Sequence, residues 1–242
     1  MDALEIKTIF TISFFGTTLP ITETVIISWV VMAILIICAL VFTRKFTEIP
    51  KGPQAILETM VEFLNSFAKD QFGSWSKYFG YYMGTLFLFL LLANIIGVLS
   101  PVEISFMGRE FIPPFTIAPP TKDINVTASL AVLTILGVLV FGIIAKGPLG
   151  WFKHLLHPMA FMLPFNLMEY GTRLLSLSLR LFGNIMGGYV LMHMIEGLLP
   201  LGLPMIASLY FDFFDGLIQA AIFVFLSSMY LSEALKTGHE EE

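Results

Sequence analysis

The chain has 242 residues, 57% of them hydrophobic and 13% charged, with a mean hydropathy of +0.85, whereas a globular domain carries about 25% charged residues. This balance excludes a water-soluble globular enzyme and points to a polytopic membrane protein. The net charge of −5, part of it in the C-terminal run EEE, lacks the clustered Lys and Arg of a nucleic-acid footprint, so partners are expected in the membrane.

The first residues, MDALEIKTIF, have neither the basic n-region nor the small-residue cleavage site of a signal peptide, and are expected to be retained. Crossing the hydrocarbon takes about 20 mostly apolar residues, and windows of that kind fall near 22–42, 78–99, 126–145, 161–195 and 205–235. The single cysteine, Cys38, lies in the first window, leaves no intrachain disulfide and reads as a packing residue. After it, GPQAILETMVEFLNSFAKDQFG mixes apolar residues at helical spacing with Glu58, Glu62, Lys69 and Asp70, which predicts an interfacial helix near 52–73. The segment 101–123, PVEISFMGREFIPPFTIAPPTKD, is rich in proline and aromatics and reads as a folded extramembrane connection. The last two windows exceed a straight crossing, which predicts tilt, curvature or a protruding end. The expected architecture is an all-α integral membrane protein: one domain over 1–242, about five transmembrane helices and one interfacial amphipathic helix.

Orientation follows from Lys and Arg, which are enriched in cytoplasmic loops. Arg44, Lys45, Lys51, Lys69, Lys77, Lys146, Lys153 and Lys236 fall on one side and Lys7, Arg109 and Lys122 on the other, eight against three. The N-terminus is therefore expected outside and the C-terminus in the cytoplasm.

The fourth window carries charge where leucine would serve. A charged side chain at the bilayer centre costs about 2.5–3.5 kcal/mol on insertion scales, so it generally faces a partner or water. Arg173 and Arg180 are seven residues apart, about 20° round a helix, and Glu169, Ser176, Asn184 and Gly187 fall near the same line. Glu169 and Arg173 have the spacing of a helical ion pair, whereas Arg180 has no acidic residue one turn away on either side. Its counter-charge must come from elsewhere. The small residues Ser176, Ser178, Gly183, Gly187 and Gly188 suit close approach by another helix. Tyr189, His193 and Glu196 lie on the opposite face, towards the far end. In the last window Asp212, Asp215 and Gln219 share a face among phenylalanines, where the carboxylates are expected to be protonated or to line an aqueous vestibule.

The segments SLSLRLFGNIMGG and LIQAAIFVFLSSMYLSEA, with PPTKDINVTASLA, KGPLGWFKHLLHP and LANIIGVLSP, resemble subunit a of F-type ATP synthases along most of the chain. The resemblance implies the membrane stator subunit of the Fo sector, its last two helices forming a long, tilted hairpin against a rotating ring of c subunits. Arg180 is similar to the family's essential arginine, Asn184 to its nearby asparagine and Gln219 to its glutamine. Arg173 falls where relatives often carry a basic residue, and with Glu169 and Ser176 completes the ion-translocation set. This chain departs from the pattern at Tyr189, where many relatives have glutamate, and at Asp212, often histidine. The outer half-channel candidates are accordingly Asp212, Asp215, His193, Glu196 and Tyr189.

The resemblance further implies no catalytic residues, no cofactor and no resident metal in this chain, with transported H+ or Na+ as cargo. The implied partners are the c-subunit ring, b-type peripheral stalk subunits, the catalytic sector through the complex, and membrane lipids, with no nucleic acid. The implied location is a bacterial-type plasma membrane. Two other readings of the residues are an anion-binding secondary transporter built on Arg180 and an intramembrane metalloenzyme built on HLLH (His154, His157) with Glu169. The first lacks inverted repeats and broken spans, and the second lacks a matching second motif.

Overall fold

The computed structural model describes residues 8–14, 17–44, 52–99, 104–106, 109–111, 119–156, 161, 163–198, 207 and 209–236. Among them, five helical runs are long and apolar enough to cross a membrane: Glu23–Phe42, Gln54–Ile95, Ile124–Lys146, Leu163–Met192 and Phe213–Leu235. The fold is that of an all-α membrane protein.

Two short hairpins are added to it. Strand β1 (Thr8–Phe14) pairs antiparallel with β2 (Thr17–Thr22), and β3 (Ile104–Phe106) with β4 (Arg109–Phe111). The first is rich in Thr and Ile, residues that favour strands.

Helix α1 (Glu23–Phe42) follows β2 and is almost wholly exposed, with Val31 alone of its apolar side chains buried, against Ala93 and Ile96. A helix this apolar all round has the character of a membrane span. Gly52, at φ 62°, turns the chain into α2 (Pro53–Phe72), whose first position is a proline that needs no donor there. Gly73, at φ 52°, then reverses it into α3 (Ser76–Ile95). A Cβ on Gly80 would lie 3.2 Å from Ala68 Cβ and one on Gly84 3.6 Å from Leu64 Cδ1, so α2 folds back antiparallel along α3. The other face of α2 reaches the last helix, where the Ser232 hydroxyl donates to the Gln71 carbonyl at 2.6 Å.

Helix α4 (Ile124–Lys146) starts at Asp123, whose carboxylate caps it by accepting from the Asn125 amide at 2.9 Å. The short α5 (Pro148–Leu156) follows Gly147. Helix α6 (Leu163–Leu198) is continuous for 36 residues, about 54 Å at 1.5 Å per residue. A π-helical turn, Leu209–Asp215, leads into α7 (Gly216–Leu235).

The core joins α3, α4, α6 and α7 through Phe79, Met83, Leu90, Val138, Leu181 and Phe223. A buried hydroxyl pair, Thr134 and Ser227 at 3.5 Å, joins α4 to α7. This core holds one face of α6 and leaves the other facing out.

Candidate functional site

Helical spacing divides α6 between two environments. Leu177, Ser178 and Leu181 are buried against the core, while Leu175, Ser176, Leu179, Arg180 and Gly183 are exposed. Cβ atoms added to Gly183 or Gly187 would meet nothing within 4 Å, whereas one on Gly188 would lie 3.5 Å from Phe211 Cβ. Of the small residues on α6, Gly188 therefore admits the chain's own π turn, and Gly183 and Gly187 border open space beside Arg180.

Arg180 Nη2 donates to Ser176 Oγ at 3.2 Å. Among the described residues it faces no carboxylate within ion-pair distance. A full positive charge thus stands on an apolar, outward-facing strip without a counter-ion from the described part of this chain. One turn further on, Asn184 is half-buried and turns towards α7, its Nδ2 donating to Gln219 Oε1 at 3.4 Å. Gln219 is 4% exposed, and its Nε2 has no hydrogen-bond partner among the described residues. An amide donor buried in that state costs free energy unless an acceptor, such as a water, reaches it.

Towards the N-terminal end of α6, Arg173 Nη2 donates to Glu169 on its own helix and, at 2.8 Å, to Glu233 Oε2 on α7. Its guanidinium carbon lies 4.7 Å from the Tyr230 ring centroid, within cation–π range. Arg173, Glu169 and Glu233 border a cavity of about 260 Å³ that also receives Lys146 from α4, Trp151 from α5 and Asn166 from α6.

Towards the other end, the Lys122 ammonium sits 3.6 Å above the Tyr189 ring. Burial pushes that ammonium below the ordinary lysine range, with Glu23 acting in the opposite direction. Asp215 is half-buried at the start of α7. The side chains of His193, Glu196 and Asp212 lie outside the described residues, as do those of His154 and His157. Among the described residues no group of His, Cys, Asp and Glu could hold a metal ion.

Several polar contacts were missed in the sequence. Glu233 lies fourteen residues after Gln219, about 40° from it round the helix, so it falls near the face that carries Gln219; that spacing was a readable signal. The Thr121 hydroxyl donates to Asn94 Oδ1 at 2.7 Å, Asn94 Nδ2 to the Gly216 carbonyl at 2.9 Å, and the Thr24 hydroxyl to Asp123 Oδ2 at 2.8 Å. These join residues far apart in the chain, and no local pattern announces them.

Residues 25–232 match the family described as ATP synthase A chain. The chain is also 35% identical over 220 residues to the ATP synthase subunit a, sodium ion specific, of Propionigenium modestum; the alignment covers 89% of this chain and 75% of that protein.

Proposed function

Because the chain belongs to the ATP synthase A chain family, we propose that it is the Fo stator subunit in which Arg180 drives ion exchange with the carboxylates of a rotating c-ring. The observation that carries this reading is Arg180 itself: a permanent cation on the outward strip of α6, flanked by Ser176 and Gly183 and facing no described carboxylate of its own chain.

A c-subunit carboxyl in lipid is desolvated and stays neutral by holding a proton or a sodium ion. An opposite charge within a few Å lowers a carboxyl pKa by about 1 to 3, so on reaching Arg180 the carboxyl releases its ion. Arginine suits this task because it keeps its charge when buried, where lysine can lose a proton. The same charge repels a cation seeking a direct path, and ions are obliged to travel with the ring. Each monovalent cation moving down 100 mV supplies about 2.3 kcal/mol, and several must pass for each ATP.

In this reading Asn184 and Gln219 hold polar access beside Arg180, and Glu169, Arg173 and Ser176 border the cytoplasmic approach. Asp212, Asp215, His193, Glu196 and Tyr189 belong to the outer one. Together they form two offset half-channels, with the N-terminus outside, the C-terminus in the cytoplasm, and α2 at the interface. The partners are the c-ring, b-type stalk subunits and, through the complex, a catalytic sector that holds the nucleotides. The coupling ion is H+ or Na+, and the sodium-specific relative makes Na+ worth testing first.

The test is ATP-driven pumping and passive ion flux in vesicles holding the intact complex or Arg180→Ala, in proton-only and sodium-containing buffers. Loss of pumping with assembly intact is expected, and the ion dependence of the parent names the coupling ion. Normal pumping by the variant would leave Arg180 without this role.

A further inference from the structure

Arg173 binds more than its own helix asks of it. A Glu169–Arg173 pair alone would be an ordinary one-turn contact on α6, yet the same Nη2 also reaches Glu233 of α7 at 2.8 Å, and the guanidinium packs 4.7 Å from the Tyr230 ring, one turn from Glu233. One α6 side chain therefore grips two positions of α7. Stability alone does not account for the second partner: the Arg173 side chain is 15% exposed and already has Glu169 as a counter-charge on its own helix, while Glu233, 59% exposed, would be well solvated without it.

Register explains it better. The helices meet again where Asn184 donates to Gln219, and the two contacts, 173 with 233 and 184 with 219, run in antiparallel order. They are about 16 Å apart along α6 and about 21 Å apart along α7. Arg180 lies between them on the exposed face. The Asn184–Gln219 contact, at 3.4 Å, is too long to pin a helix by itself. Slipping α6 by one residue would move Arg180 about 1.5 Å and turn it by about 100°, which would take it off the outward strip. A guanidinium held by a carboxylate and set over a ring of the neighbouring helix resists both slip and rotation, where a lysine ammonium on a flexible stem would resist less.

We propose that Arg173 is a positioning residue: gripping Glu233 and Tyr230 of α7, it fixes the register and rotation of α6 so that Arg180 meets the c-ring carboxylates. The proposal rests on the reading of Arg180 given above. It assigns Glu233 a part in ion coupling through α6, without contact with the ion.

The test uses the complete complex in vesicles and compares the parent with Arg173→Glu, Glu233→Arg, the double exchange carrying both, and Arg180→Ala. The readouts are ATP-driven pumping, ATP hydrolysis, and passive ion flux after removal of the catalytic sector. Each single variant is expected to lose at least fivefold in pumping per ATP hydrolysed and to change passive flux, and the exchange to recover at least half of the parent ratio. Single variants that couple like the parent, or an exchange no better than either, would overturn the clamp. If the single variants fail to assemble, the exchange decides: assembly with coupled pumping supports the clamp, and failure overturns it. Normal pumping by Arg180→Ala sinks the reading of Arg180 and the purpose given to the clamp. Parent-like single variants beside an inactive Arg180→Ala sink the clamp alone.

Discussion

Asn94 and Gly216 meet between α3 and α7 so closely that a Cβ on Gly216 would lie 3.0 Å from Asn94 Cβ, while the Asn94 amide donates to the Gly216 carbonyl at 2.9 Å. Gly216 stands where the π turn gives way to α7, so this contact ties the start of the last helix to α3.

Gly216→Ala should push the two helices apart. Overpacking of this kind costs about 1–3 kcal/mol, and the displaced Asn94 would also lose its hold on the Gly216 carbonyl. Thermal denaturation of the purified complex should show a lower midpoint for subunit release in Gly216→Ala. Gly84→Ala, whose Cβ would meet Leu64 at an ordinary 3.6 Å, should stay close to the parent.

Asp123 joins α1 to α4 through one buried carboxylate. It is 2% exposed, caps α4 through the Asn125 amide, accepts from the Asn125 side chain at 3.1 Å, and accepts from the Thr24 hydroxyl at the start of α1. Removing a cap costs about 0.5–2 kcal/mol, and the buried Thr24 hydroxyl, left with its 2.8 Å contact to Thr22 Oγ1, loses its carboxylate acceptor as well. Asp123→Ala should therefore destabilise more than Thr24→Val, which removes only the donor. Denaturation midpoints of the two variants measured side by side check the order.

These two contacts mark the limit of what the residues alone disclose. Long apolar windows were legible, because lipid demands them whatever the packing, and so was the all-α membrane class. The hairpin over residues 8–22 was not, because its strands are too short to stand out beside a spanning window. Which side chains of α6 are polar was legible too. Which of them meet was not: Asn184 falls near the Arg180 line on a helical wheel, yet it turns to Gln219 thirty-five residues later. The spacing of Glu233 puts it near the Gln219 face, but its meeting with Arg173 of α6 shows only in the fold.

Lys122 predicts a pH dependence. Its ammonium is held below the ordinary lysine range by burial, with Glu23 opposing. A cation whose folded pKa is depressed costs stability at low and neutral pH, and the cost disappears as pH rises from the folded value towards the unfolded 10.5. Lys122→Met gives up the contact with Tyr189 at every pH but removes the burial cost only while the lysine is charged, so the parent should gain denaturation midpoint relative to Lys122→Met as pH rises through the alkaline range. A difference that stays flat to pH 10.5 would rule out a burial cost on the charge.

The Asn184–Gln219 contact separates stability from function. Asn184→Leu leaves the Gln219 oxygen without its donor beside an amide nitrogen that already lacks a partner among the described residues. Stranding a buried polar group costs about 1–3 kcal/mol, whereas replacing both partners with apolar groups is close to neutral. Asn184→Leu should therefore lower the denaturation midpoint, and adding Gln219→Leu should restore much of it. Pumping should not follow. If the two amides provide polar access to Arg180, the double variant leaves that path lined by leucine, and ATP-driven ion uptake into vesicles should fall at least tenfold despite the recovered stability. Recovery of pumping together with stability would make the pair a packing contact and move the access path elsewhere on α6.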